Sequence, residues 1–149
     1  MRSTTRSIAT TFRTALTTIA LGMTLTGCML FAKPPKELDY SRTRTSEGGR
    51  YRGTIHPQGD SIPKGKLQRW TLHLETVEGT AVDSVKIAVD GGMPQHGHGL
   101  PTKPRVTRDL GNGDHLVEGM KFNMGGWWVV KFRLNAPAGA DSLVFNLAL

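Results

Sequence analysis

The residues best suited to chemistry lie in one stretch, Gly91-Gly92-Met93-Pro94-Gln95-His96-Gly97-His98-Gly99-Leu100-Pro101. Two histidines separated by a single glycine can turn both imidazoles toward one point, because the glycines let the backbone bend as a bound ion demands. Imidazole suits copper, zinc, iron and nickel, whereas a thioether selects copper, above all in its reduced state. Met93 stands three residues before His96 and offers such a thioether. A second source of soft donors follows in Met120-Lys121-Phe122-Asn123-Met124-Gly125-Gly126-Trp127-Trp128. Met124 sits close to a turn there. Met120 reads as core filling, the usual use of methionine in β proteins. Trp127 is out of phase with the apolar face of its strand and is expected as a ring covering the site, with Trp128 in the core. His56, His73 and His115 have no partner in sequence and are expected at the surface.

Hydrolytic chemistry finds less support. No Ser, Cys or carboxylate occupies a nucleophile motif, and neither a His-Glu-x-x-His pair nor a phosphate loop is present. A zinc hydrolase needs a third nitrogen or oxygen ligand and a general base. Asp90 and Asp114 are available, but no spacing singles them out. The expectation is a protein that is not an enzyme.

A loop of this kind needs strands to hold it, and the chain supplies them. Tyr51–Ile55, Leu67–Leu74, Val85–Val89, a segment between Val106 and Leu110, His115–Phe122, Trp128–Leu134 and Leu143–Leu149 are short runs, several of them alternating apolar with polar. Gly, Pro, Asn and Asp separate them. Seven strands at this spacing predict an all-β, immunoglobulin-like sandwich over residues 51–149. The histidine loop and the Trp segment then join strands, where they could meet at one end.

The N-terminal part reads as processing signal. Arg2, Arg6 and Arg13 precede a short apolar run, Ala15 to Leu25, well under the ~18–20 residues a membrane-spanning helix needs. Leu25-Thr26-Gly27-Cys28 follows, holding the one cysteine of the 149 residues. It looks like a lipobox: residues 1–27 a lipoprotein signal peptide, Cys28 the lipidated residue, and the membrane a partner through that lipid. Met29, not aspartate, follows the cysteine, so by resemblance to enterobacterial sorting a periplasm-facing place on the outer membrane is expected. Residues 33–50 are polar and rich in Pro, Gly and charge, so 28–50 reads as the lipidated cysteine and a flexible tether with an extended reach of about 70 Å. The leader's three arginines account for part of the +7 net charge. The remaining basic residues are scattered, which argues against a nucleic-acid footprint.

Two motifs taken together, Met93-Pro94-Gln95-His96-Gly97-His98-Gly99-Leu100-Pro101 and Leu116-Val117-Glu118-Gly119-Met120-Lys121-Phe122-Asn123-Met124-Gly125-Gly126-Trp127-Trp128, resemble the FixH/YtkA-like family. Its members are small exported or membrane-attached β-sandwich domains linked to copper handling and respiratory oxidase assembly. The resemblance spans residues 51–149 and implies a metal set of Met93, His96, His98 and Met124. It also implies copper, reduced in the favoured reading, as the bound group, and an envelope redox enzyme as a partner. Gly125 stands where the family often has proline. The alternative on the same residues is a metal-free envelope interaction module, with the His-Gly-His loop and the Trp hairpin as its recognition surface.

Overall fold

A computed structural model of the chain describes residues 35–149. The leader and Cys28 lie outside the described residues. Among those described there is no helix, and nine strands follow in order: β1 (Thr43–Thr45), β2 (Tyr51–Pro57), β3 (Gln68–Thr76), β4 (Lys86–Met93), β5 (His98–Gly99), β6 (Arg105–Gly111), β7 (Asp114–Met120), β8 (Trp127–Ala136) and β9 (Gly139–Ala148). All pairings are antiparallel, in the order β1-β2-β3-β7-β6-β4-β8-β9, with β5 on β4. The all-β expectation holds, and each of the seven expected strands is present.

The sheet folds over at its middle. One rung, Ala88 against Arg105, joins β4 to β6, so β1-β2-β3-β7-β6 and β5-β4-β8-β9 form the two halves of the sandwich. Alternation then does what alternation must: β8 sends Trp128, Val130, Phe132 and Leu134 inward and β9 sends Leu143, Phe145 and Leu147 to meet Tyr51, Ile55, Trp70, Leu72 and Leu74. Aromatic rings pack against one another through this core. Trp70 and Phe122 are 5.7 Å apart, Phe122 and Trp128 meet edge-on at 5.2 Å, and Phe132 and Phe145 meet edge-on at 5.8 Å.

Two of these expectations need correction. Residues 43–50 belong to the fold and not to the tether, because β1 pairs with β2 through Thr43–Thr54, Arg44–Gly53 and Thr45–Arg52. The folded part of the chain therefore begins no later than Thr43. Val85, Ile87 and Val89 are only half-buried, since β4 borders the sparsely paired fold-over. His115 is buried, not at the surface: it is 1% exposed, with Nε2 2.8 Å from the Val82 carbonyl. The inward residues of β7 are His115 and Val117, while Leu116 is half-buried on the other phase. A bulge at Gly119 (φ 85) then resets the phase, which brings Met120 into the core as expected.

The β1–β2 turn is fastened to β9. Ser46 Oγ–H donates to Asp141 Oδ2 at 2.7 Å, the Gly48 amide donates to Oδ1 at 2.8 Å, and the Glu47 amide reaches the Ser142 carbonyl at 2.8 Å. Burial works to raise the Asp141 carboxyl, but hydrogen bonds from Ser46 and from the amides of Gly48, Ser142 and Arg50 outweigh it and lower it from 3.8 to about 2. A carboxylate held below its unfolded value stabilises the fold above about pH 4, and that contribution fades as pH falls toward 2. It amounts to about 2 kcal/mol. Asp141→Asn is expected to lose most of this at neutral pH and to flatten the stability profile between pH 4 and 2, as read by urea denaturation across that range.

Candidate metal centre

The histidine loop is a β-hairpin. β4 runs out at Met93 and turns back as β5, with Gly92 opposite Gly99 and Met93 opposite His98. The His96 amide closes the turn on the Met93 carbonyl at 3.0 Å, and Gly97 takes the left-handed conformation (φ 64) that the reversal requires. A Cβ on Gly92 would collide with the His98 carbonyl oxygen, so only glycine lets the two strands lie this close. The Leu100 amide, donating to the Gly91 carbonyl at 2.9 Å, fastens the returning chain.

Three of the four expected donors, Met93, His96 and His98, stand on this one hairpin. His96 and His98 hold their rings nearly parallel, 6° apart in plane and 5.9 Å between centroids. Met93 is the direct cross-strand partner of His98, and directly opposed residues are close neighbours. A shallow pocket of about 310 Å³ beside the hairpin is lined by Met93, His98, Asp90, Val129 and Lys131 among others.

The Trp hairpin lies at the same end. Gly92 pairs with Val129, and Met93 reaches across so that its Cε lies 3.0 Å from where a Cβ on Gly126 would stand. Gly126 has φ 120, a backbone suited to glycine alone. Met93 itself is 1% exposed, wedged between the two hairpins, whereas Met124 is 38% exposed. What Met124 engages is its carbonyl, which accepts the Trp128 indole N–H at 3.1 Å. Its thioether remains on the neighbouring turn. Trp127 departs from its expected role as a cover: its indole N–H donates to Asn146 on β9 at 3.0 Å, which leans the ring away from β4.

The other histidines are placed elsewhere. His73 Nδ1 lies 2.8 Å from Asp114 Oδ1 on the far part of the sheet, and His56 is exposed on β2. Among the described residues no three His, Cys, Asp or Glu side chains gather as a metal-binding group. A three-donor centre at this hairpin would have to draw on sulfur, and imidazole with thioether is a donor set that would suit reduced copper. The spacer role of Gly126 went unread in the sequence, although the doublets Gly91-Gly92 and Gly125-Gly126 were its visible signal.

The model of a protein family described as YtkA-like matches residues 55–133 of this chain, a little over half of it. No curated protein and no solved structure matches.

Proposed function

The chain belongs to the YtkA-like family, and on that premise we propose that it is a lipid-anchored domain of the cell envelope that binds reduced copper and holds or delivers it without catalysing a reaction. One observation carries the reading: the paired rings of His96 and His98 stand on a hairpin whose opposite strand ends in Met93. In this proposal the two imidazoles are the fixed donors and Met93 is the soft donor beneath them. Met124 is an outer thioether that closes on the ion from the neighbouring turn. Copper is cargo here, so exposed donors serve the role, since an ion that must be passed on has to be reachable. A membrane-bound redox enzyme of the envelope is the receiving partner that the family's association with oxidases suggests.

The test is a chelator competition with tag-free protein under reducing conditions. One equivalent of copper bound, together with a rise in the thermal midpoint on loading, is expected, because a ligand that binds only the native state must stabilise it. Binding should weaken below about pH 6, where protons compete with copper for imidazole nitrogen. Protein that leaves all the copper with the chelator would end the proposal.

Anchoring is tested separately. Cys28→Ser is expected to leave uncut precursor and to remove the protein from the outer-membrane fraction. Normal processing and fractionation of that variant would refute the lipid anchor while leaving the copper reading intact.

The alternative, a metal-free recognition surface, draws on the exposed apolar side chains at the same end, Leu67 at 69% and Met124 at 38%. It predicts partner binding that is unaffected by copper or by loss of the histidines.

A further inference from the structure

The end of the sandwich that carries the histidine hairpin differs in charge from the rest of the molecule. Four connections reach it: residues 58–67 between β2 and β3, the β4–β5 turn, residues 100–104 before β6, and residues 121–126 before β8. They bring Lys64, Lys66, Lys103 and Lys121 together, and Asp60 is the one side-chain carboxylate in these connections. The first and last are joined by the Gly65 amide donating to the Phe122 carbonyl at 2.7 Å. Lysine Nζ of residue 64 lies 3.7 Å from where a Cβ on Gly125 would be.

None of these four lysines is ion-paired with another described residue. The Lys and Arg ion pairs among the described residues use Arg44, Arg52, Arg69, Lys131 and Arg133 on the strands and Arg50 at the opposite turn. Set among the free cations are the two exposed apolar side chains Leu67 and Met124. Leu67 directly follows Lys66, an arrangement in which a hydrocarbon tip projects beside an ammonium.

The chain also reaches the fold from this end. Asp39 gives its carbonyl to Asn146 Nδ2 at 3.1 Å, near the close of β9, and Arg42 gives its carbonyl to the Ile55 amide at 2.9 Å, near the close of β2. The described chain, from Pro35 on, therefore enters the domain from the end that carries the lysines.

We propose that this end is a docking surface for an anionic lipid bilayer, with Lys64, Lys66, Lys103 and Lys121 at the headgroups and Leu67 inserted between them. Each basic side chain near an anionic leaflet gains roughly fivefold in partitioning, and a few such contacts orient a domain as well as hold it. The proposal is independent of copper: it uses neither histidine. Because the attraction is electrostatic, it weakens with salt.

The experiment is vesicle flotation with residues 28–149 carrying Cys28→Ser, so that neither a lipid nor the arginine-bearing leader contributes. Phosphatidylethanolamine vesicles with about 30 mol% phosphatidylglycerol supply the anionic surface, and phosphatidylcholine vesicles the neutral one. The parent is expected to partition at least about 20-fold more strongly onto the anionic vesicles. Lys64→Gln/Lys66→Gln/Lys103→Gln/Lys121→Gln should abolish that preference, and the same four changed to Arg should keep it. Leu67→Ser should weaken binding to the anionic vesicles. Equal partitioning of the parent and the Gln variant onto anionic vesicles would overturn the proposal. So would a parent that binds soluble polyglutamate but ignores the vesicles, which would assign the surface to an acidic protein.

Discussion

Replacing Trp128 with alanine is expected to cost the fold about 3–5 kcal/mol, the range for deleting a large ring from a packed core. The side chain is 1% exposed and meets Phe122 edge-on, and Phe122 in turn packs on Trp70. Nothing smaller than another ring can bridge the two halves of the sandwich at that point. The indole also holds the Met124 carbonyl, so its loss frees the turn that carries Met124 and Gly126 as well as opening a cavity. Trp127→Ala removes a half-buried ring whose main tie is one hydrogen bond to Asn146, and about 1–2 kcal/mol is expected from it. Chemical denaturation of the two variants compares them directly. A larger loss from Trp127 than from Trp128 would mean that the facing of β8 had been assigned backwards.

Removing both imidazoles, His96→Ala/His98→Ala, is expected to weaken copper binding by more than about 100-fold. The reasoning is comparative. Loss of a mere outer-shell partner commonly costs 10–100-fold, and these two are the donors themselves. Met93→Leu and Met124→Leu should each cost less, because either thioether can be spared while two nitrogens still hold the ion. The apo double variant should melt where the apo wild type does, since both histidines are exposed and a loop tip adds little to the core. Copper should then raise the midpoint of the wild type only. Wild-type affinity in the double variant, measured by the same chelator competition, would remove the copper reading. The hairpin would then be tested as a surface for a protein partner.

Much of the architecture was legible because alternation is a local signal. A run such as Trp128-Val129-Val130-Lys131-Phe132-Arg133-Leu134 declares both its strand and its inward face. β1 was not legible: Thr43-Arg44-Thr45 lies at the edge of the sheet, where no apolar face is needed, and it is defined by what it pairs with. β5 is two residues long and exists only as the return of a hairpin. His115 was misplaced because an isolated histidine looks polar, yet one hydrogen bond to a backbone carbonyl suffices to bury its ring. The histidine hairpin itself was visible from residue types and spacing. Its closeness to the Trp hairpin was only conditional until the pairing of β4 with β8 fixed the register. The lysine end could not be read at all, since its members come from three connections scattered along the chain and only the topology gathers them.

The last residue of the sequence is woven into this arrangement. The Gly126 amide donates to the Leu149 carbonyl at 2.7 Å, and the Leu149 amide returns a bond to the Gly126 carbonyl at 3.1 Å. An affinity tag appended after Leu149 would thus emerge next to Met93 and the paired histidines. A run of tag histidines there would compete for the very ion being measured and would add its own charge to the lysine surface. The opposite turn, Pro137-Ala138 between β8 and β9, is exposed and remote from both features. Labels, purification handles and fusion partners inserted at that turn leave the end that carries the histidine hairpin and the lysines as the sequence made it.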